Sequence, residues 1–484
     1  MSSIPLPSTE APDGTFPIAA DAALNESATK SPARSSSATD AAGDSRLYRV
    51  VWRWHFYAGL LTVPVLCTLA LTGVILTFET EIVEWRDREL LFVTPQSERL
   101  GYDALRTAVA DARGYNDFES IVVYPDPTRS VQFVGHVHAA DDHDHEHEHP
   151  EHEQIFVDPY SGEILGIQGE GDAFFRTMLD LHRNLMAGTT GRLIAELTTG
   201  WTVILLATGL YLWWPRGKSN VGVWVPRVRG KVYAVLRDWH SVSGAWLFPV
   251  MFLVVGTGLF FSPVQGTIFN SSVKAAGHWP IQEWFSPPQY QMPTNGASAA
   301  PLDVVVPAFL SQARPDDAVR ITFATQPDHA HRAWLIRDQD KNSFRQVDVD
   351  QYTGEVLKVV GGADLKLGYR IRLWAVSIHM GQIFGMPTKI LAFIASLLVF
   401  GLSFTGVWMW WRRRPKGRTG FPARPKPGSV PKWGWAVVVA TGVVMPVAGV
   451  SFLLLAVGDT IVARWRRNEL QDRSEGANPN LDYS

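Results

Sequence analysis

The sequence of 484 residues predicts a polytopic α-helical membrane protein with internal duplication and two α+β modules outside the membrane. Three observations predict this class. Five apolar stretches are each long enough, at about 20 residues, to cross a hydrocarbon core. Histidines, glycines and prolines recur at the same offsets in the two halves. The two longest intervening segments contain short β-branched runs bounded by turns. The apolar stretches are 55–78, 193–214, 240–261, 389–411 and 434–457.

The basic residues predict the orientation of these stretches. Arginine and lysine are concentrated just before the first stretch and in the segments 215–238 and 412–433. Because cytoplasmic loops carry an excess of Lys and Arg, we expect these regions to be cytoplasmic. The long segments 79–192 and 262–388 then face the periplasm, and the protein lies in a bacterial inner membrane.

Membrane segments and outer modules alternate along the chain. Residues 1–45 lack a basic start followed by an apolar run, so we expect a disordered cytoplasmic tail rather than a signal peptide. The lone cysteine, Cys67, excludes an intrachain disulfide and a cysteine-ligated cluster. The further boundaries are 46–80 (first span), 81–178 (first periplasmic module), 179–216 (histidine-bearing approach and second span), 217–238 (basic loop), 239–262 (third span), 263–370 (second periplasmic module), 371–412 (histidine-bearing approach and fourth span), 413–433 (basic loop), 434–458 (fifth span) and 459–484 (tail).

Four histidines at matched positions are the main functional signal. Ionisable residues in or beside a bilayer are costly and are usually functional. Haem iron accepts a neutral imidazole on each axial side, so paired imidazoles predict haem b. From His55 the offsets +4, +9, +17 and +18 lead to Gly59, Pro64, Thr72 and Gly73, and from His240 they lead to Gly244, Pro249, Thr257 and Gly258. From His182 the offsets +6, +27, +31 and +32 lead to Gly188, Gly209, Trp213 and Trp214, and from His379 they lead to Gly385, Gly406, Trp410 and Trp411.

The four histidines lie at two depths. His55 and His240 begin spans at the cytoplasmic side, each with a glycine one turn away that leaves room for a flat macrocycle. His182 and His379 precede spans at the periplasmic side. We therefore expect two haem groups, one near each face. Two alternatives stay open: pairing within one half, and interfacial anchoring or packing of the histidines without haem.

A second concentration of histidine lies in the first outer module. Residues 136–152 alternate His with Asp or Glu and have no counterpart in the second half. Imidazoles and carboxylates suit Zn, Cu, Ni or Fe, which predicts a flexible metal-binding insert rather than the reaction site. A solvated loop without a role is the alternative, and His329 and His331 form a weaker candidate. The possible loop ligands are His136, His138, His143, His145, His147, His149 and His152.

The two outer modules share a turn motif. Asp158-Pro-Tyr-Ser-Gly-Glu163 and Asp350-Gln-Tyr-Thr-Gly-Glu355 both have β-rich flanks, which is typical of hairpins. Combined with the Trp-His and Leu-His spans, these motifs resemble the PepSY-associated transmembrane family of bacterial inner-membrane proteins over residues 46–460. Some members of that family resemble haem-containing reductases of ferric siderophores, and others are iron-regulated membrane proteins.

The resemblance and the histidines together predict an oxidoreductase. We expect a haem b electron-transfer protein that reduces a ferric chelate, such as a ferric siderophore, in a periplasmic cleft between the two modules. The sequence has no dinucleotide-binding or Walker motif, so the expected electron donor is quinol or a cytoplasmic reductase. No catalytic residue is assigned, and nucleic acid is not an expected partner. A haem-free metal-handling or transport accessory and a PepSY-type regulatory or peptide-binding protein are the alternatives.

Overall fold

In the computed structural model, a bundle of apolar helices is joined to an antiparallel sheet. The structure describes residues 35–136, 152–169, 173–216, 219–279, 298–337, 340–422 and 432–455, with residues 457, 458, 461, 464 and 465. The helices are α1 (Ser35–Leu76), α2 (Glu79–Arg86), α3 (Arg88–Leu91), α4 (Tyr102–Arg113), α5 (Ala173–Asn184), α6 (Gly188–Trp213), α7 (Val232–Trp246), α8 (Phe248–Gly258), α9 (Gln265–Ala275), α10 (Leu302–Leu310), α11 (Leu367–His379), α12 (Met386–Arg413), α13 (Lys432–Val444) and α14 (Pro446–Leu455). The strands are β1 (Phe118–Val123), β2 (Val131–His136), β3 (His152–Val157), β4 (Ile164–Gly169), β5 (Asp317–Thr322), β6 (His331–Arg337), β7 (Asp340–Val349) and β8 (Val356–Gly361).

Within the described residues, three helices are long and apolar enough to cross a membrane. They are α6, α12 and the part of α1 from Arg46 to Leu76. The pair α7 and α8 is a fourth candidate, and it is bent by 70°. Pro249 stands at the start of α8, where its missing N–H costs nothing, whereas Pro64 lies inside the continuous α1. These helices agree with a polytopic membrane protein.

The two ends of the chain differ from the expected boundaries. Helix α1 begins at Ser35, inside the segment 1–45 that we expected to be disordered. The expected fifth span forms two shorter apolar helices, α13 and α14. A β-carbon on Gly449 would stand 2.5 Å from the carbonyl oxygen of Gly442, so the chain turns back sharply near Met445. Pro446 begins the second arm, since proline is tolerated in the first turn of a helix. Five complete spans stay a prediction.

All eight strands belong to one antiparallel sheet in the order β4-β3-β2-β1-β5-β6-β7-β8. Each half of the chain contributes a four-stranded meander, and the meanders meet at their first strands. At this joint β1 pairs with β5, with Ile121 opposite Ile321. The expected strands are confirmed, but the two outer modules are joined edge to edge. The expectation of a cleft between two separate modules is therefore wrong along this joint, because main-chain hydrogen bonds close it.

One hydrophobic core serves both meanders. Helices α4 and α10 cover the same face of the sheet, and Asp103 and Asp303 cap each other's helix by accepting backbone N–H bonds. Alternate strand positions point to this face, as the pleat requires. The buried core residues include Leu105, Val109, Ile121, Val123, Phe133, Ile155, Val305, Val306, Phe309, Val319, Ile321, Leu335 and Val347.

Replacing Ile121 tests whether the sheet is one cooperative unit. Ile121 is fully buried at the joint, so Ile121→Ala should cost about 2–5 kcal/mol of stability. Because one core spans both meanders, hydrogen exchange should accelerate in β5–β8 as well as in β1–β4. Val359→Ala on β8, at a residue that is 41% exposed, is the matched control. Faster exchange confined to β1–β4 would contradict a shared core.

Candidate functional site

The structure brings the four predicted histidines together in two pairs, each joining the two halves of the chain. His182 on α5 faces His379 at the end of α11, with 6.1 Å between ring centroids and 48° between ring planes. His55 on α1 and His240 on α7 line one cavity of about 460 Å³. We call these the sheet-side pair and the arginine-side pair, after the part of the chain that adjoins each.

Each histidine is held by a helix of its own half. In the first half, Nδ1 of His55 lies 2.9 Å from Oγ1 of Thr208 on α6, and Nδ1 of His182 lies 3.0 Å from Oγ1 of Thr72 on α1. Helix α1 therefore carries His55 and contacts His182 through Thr72. Both hydrogen bonds orient their rings from within the first half of the chain.

The second half repeats this arrangement with one change. Nδ1 of His240 lies 3.1 Å from Oγ1 of Thr405 on α12. Nδ1 of His379 lies 2.7 Å from the carbonyl oxygen of Val254 on α8, instead of from the hydroxyl of Thr257. A backbone carbonyl can only accept, so His379 must carry its proton on Nδ1.

The threonines impose the same tautomer on the other rings. Each hydroxyl donates its own proton to a carbonyl four residues earlier: Thr72 at 2.7 Å, and Thr208 and Thr405 at 2.8 Å. The hydroxyl oxygen is then left to accept a proton from Nδ1 of the histidine. An imidazole protonated at Nδ1 carries its lone pair on Nε2, the nitrogen most often offered to a metal. All four histidines can thus offer the lone pair of Nε2 as neutral imidazoles.

Glycines at the matched offsets make room for the rings. A β-carbon on Gly258 would stand 3.0 Å from Cε1 of His379, and one on Gly73 would stand 3.3 Å from Cε1 of His182. Gly209 and Gly406 take the same place beside His55 and His240, at 3.3 and 3.7 Å. Their offsets from the histidines identified these glycines in the sequence, but the offsets did not predict this contact.

Thr208 and Thr405 hold His55 and His240, and the sequence alone predicted no role for either threonine. A repeated dipeptide could have indicated their role. In each of four Thr-Gly dipeptides, the glycine contacts one of the four histidines. The four dipeptides are Thr72-Gly73, Thr208-Gly209, Thr257-Gly258 and Thr405-Gly406.

The spacing of the sheet-side pair would suit two histidine ligands of one haem iron. Two metal–nitrogen bonds of about 2.0–2.1 Å, with about 1.2 Å from each Nε2 to its ring centre, would give a centroid spacing of about 6.5 Å. The observed spacing of the sheet-side pair is 6.1 Å. The arginine-side cavity has a volume within the range of about 300–1,000 Å³ that small-molecule sites occupy. Gly59 and Gly244 line that cavity, as expected from their spacing to His55 and His240.

The two pairs stand at opposite ends of the helical bundle. On α1, 18 residues separate His55 from Gly73, which contacts the sheet-side pair, and this corresponds to about 27 Å along a helix. That length is close to the hydrocarbon thickness of a bilayer, about 30 Å. Between the pairs lies an apolar cluster of Leu66, Ala70, Met251, Ala395 and Val399.

The histidines of the outer modules have other surroundings. His331 is buried, and its Nδ1 accepts a 2.9 Å hydrogen bond from the backbone N–H of Ala324. Burial, reinforced by Arg106, lowers the pKa of His331 to about 4, so the ring is neutral at pH 7 and serves the fold. His136 and His152 are paired residues of β2 and β3, while residues 137–151 of the His-rich segment lie outside the described part of the chain. Among the described residues, no three or more His, Cys, Asp or Glu side chains form a metal site.

Comparison with known protein families assigns the chain to one family. The family model described as PepSY-associated TM region matches residues 52–413, which include all four histidines. The chain belongs to the PepSY-associated TM family. Comparison with curated proteins gives no match. Family membership and the apolar helices support a membrane location, and the resemblance seen in the sequence is confirmed.

A β-carbon at Gly258 should disturb the sheet-side pair. Gly258→Ala places a methyl group 3.0 Å from Cε1 of His379, so the ring must shift by a few tenths of an ångström. We expect less haem to be retained, measured as pyridine haemochrome per chain. Gly256→Ala on the same helix is the control, because a β-carbon there meets nothing within 4 Å. Equal haem content in both variants would contradict the idea that Gly258 leaves room for the ring of His379.

Proposed function

We propose that this chain is a haem b electron-transfer protein of the bacterial inner membrane that reduces a ferric chelate, such as a ferric siderophore, on the sheet side. The observation that carries the proposal is the pairing of four imidazoles across the two halves, at two depths, with every Nδ1 engaged. Two imidazoles without further protein ligands suit haem, since the macrocycle supplies the remaining four. A bare zinc site would need about three or four protein ligands.

The residues of the chain perform three tasks in this function. His55, His240, His182 and His379 bind iron, and their threonine and carbonyl partners orient the rings and raise the basicity of Nε2. Haem held in this way supplies a one-electron carrier whose potential depends on burial and hydrogen bonding. The apolar cluster between the pairs places aliphatic side chains along the proposed path between the two iron sites, which makes that path unfavourable for ions.

The direction of transfer follows from the two ends of the bundle. The arginine-side pair adjoins the segments whose positive charge predicts a cytoplasmic location, and quinol or a cytoplasmic reductase would deliver electrons there. The sheet-side pair adjoins the folded outer region, where the chelate would arrive. One electron converts one Fe(III) to Fe(II), and hard oxygen donors hold Fe(II) less tightly. Iron is then released without cleavage of the chelator.

Double substitutions distinguish pairing across the halves from pairing within a half. His55→Ala and His240→Ala should each lower bound haem by about half, and the double variant should lose no more, because both residues serve one iron. His55→Ala with His182→Ala should lose both haem groups. Pyridine haemochrome per chain is the measurement, and His329→Ala is the control. A double variant at His55 and His182 that keeps half of the haem would show pairing within the half instead.

The order of the carriers can be measured by reoxidation. Dithionite-reduced protein, freed of excess reductant and reconstituted with the sheet side outward, should be reoxidised by an external ferric chelate. His182→Ala or His379→Ala should slow this step more than His55→Ala or His240→Ala does, since the sheet-side pair would hold the last carrier. Stopped-flow absorption records the rate. Equal slowing by all four substitutions, or none, would contradict the proposed order.

A further inference from the structure

The arginine-side cavity has an apolar body and a basic mouth. Its inner walls carry His55, His240 and leucine side chains, while Arg237, Arg413 and Arg414 line it at the other end. Such a cavity is complementary to a flat apolar molecule with acidic groups along one edge. Protoporphyrin has this shape, with two carboxylates on one side of the ring.

The charges at the mouth are unequally satisfied. Asp238 is fully buried and accepts hydrogen bonds from Arg237 at 2.8 Å and from Arg227 at 2.6 Å, so Arg237 already has a carboxylate partner, which it shares with Arg227. In the described part of the chain, no carboxylate forms an ion pair with Arg413 or Arg414. Both are exposed, and aromatic faces hold them: Arg413 lies 5.0 Å from the ring centre of Trp52, and Arg414 lies 3.6 Å from that of Trp411.

The position of Arg413 relates it to the iron ligand. Arg413 follows Gly406 by seven residues on α12, which is about two turns, so both lie on one face of the helix, roughly 10 Å apart. Gly406 contacts His240. A macrocycle bound by His240 and His55 would thus present its carboxylate edge to Arg413 if that edge pointed out of the bundle.

We propose that Arg413 and Arg414 bind the two carboxylates of the haem held by His55 and His240, so that this haem is oriented with its acidic edge toward the arginine-rich end. The assignment rests on the proposed function. Arginine suits the role because its planar guanidinium forms paired hydrogen bonds with a carboxylate. The two arginines therefore fix the rotation of the macrocycle about its iron axis, which the axial histidines alone leave undetermined.

Iron protoporphyrin and its dimethyl ester test this assignment by affinity. In full-length His182→Ala/His379→Ala protein, which keeps only the arginine-side pair, the diacid should bind about tenfold more tightly than the ester. Adding Arg413→Gln and Arg414→Gln should abolish that preference. Arg412→Gln removes the same charge from the neighbouring position, which does not line the cavity, and should retain it. A preference that survives in the Arg413/Arg414 variant overturns the proposal.

A potentiometric titration of the chain with all four histidines intact provides the second readout. Removing two positive charges beside one haem stabilises its oxidised form, so one of the two components should shift to lower potential while the other is unchanged. Arg412→Gln should shift neither. Two unchanged components, or two equal shifts, overturn the proposal while the haem assignment stands. Wild-type protein that binds no haem at all overturns the proposed function, and this inference with it.

Discussion

The hydrogen bond from Nδ1 of each histidine is the interaction on which the candidate site depends. It ties the ring to another helix of the same half, and it fixes which nitrogen carries the proton. A neutral imidazole in an apolar bundle otherwise has several rotamers and two tautomers available. With Nδ1 hydrogen-bonded and a glycine against Cε1, the imidazole ring has little rotational freedom. Its Nε2 stays available for a ligand between the two halves. Each half therefore orients two histidines, and the packing of the halves brings them together in two pairs.

This arrangement also explains why the two sites are separated. Helix α1 carries His55 at one end and Thr72-Gly73 at the other, so one helix sets the distance between the pairs. An apolar cluster lies between them, with Met251 fully buried among Leu66, Ala70 and Val399. Aliphatic side chains of this kind make the region between the pairs unfavourable for ions. The proposed electron transfer would run between the two pairs across this apolar cluster.

Much of the site could be predicted from the sequence, because its histidines and glycines recur at fixed offsets in both halves. The offsets from His55, His182, His240 and His379 identified the glycines that the rings contact. The role of Thr208 and Thr405 could not be predicted, since a threonine in an apolar helix usually bonds only to its own backbone. Seeing that it also accepts from a histidine 153 or 165 residues away requires the tertiary structure.

The fold was predictable in its elements and less so in their association. The strands and helices of the outer region follow from alternation and turn residues. The joint between β1 and β5 does not, because it pairs segments about 200 residues apart through main-chain hydrogen bonds, which any sequence can form. The same limit applies to the 70° bend between α7 and α8 and to the turn near Met445. A hydropathy window records apolar length and does not record direction.

The absorption spectrum of the purified wild-type chain, taken oxidised and dithionite-reduced with the haem content determined, tests the central claim most directly. We expect low-spin haem b at two groups per chain, with sharp α bands on reduction, since each imidazole pair would complete the coordination of one iron. A purified, folded chain without a Soret band, including after reconstitution with haem, would contradict it.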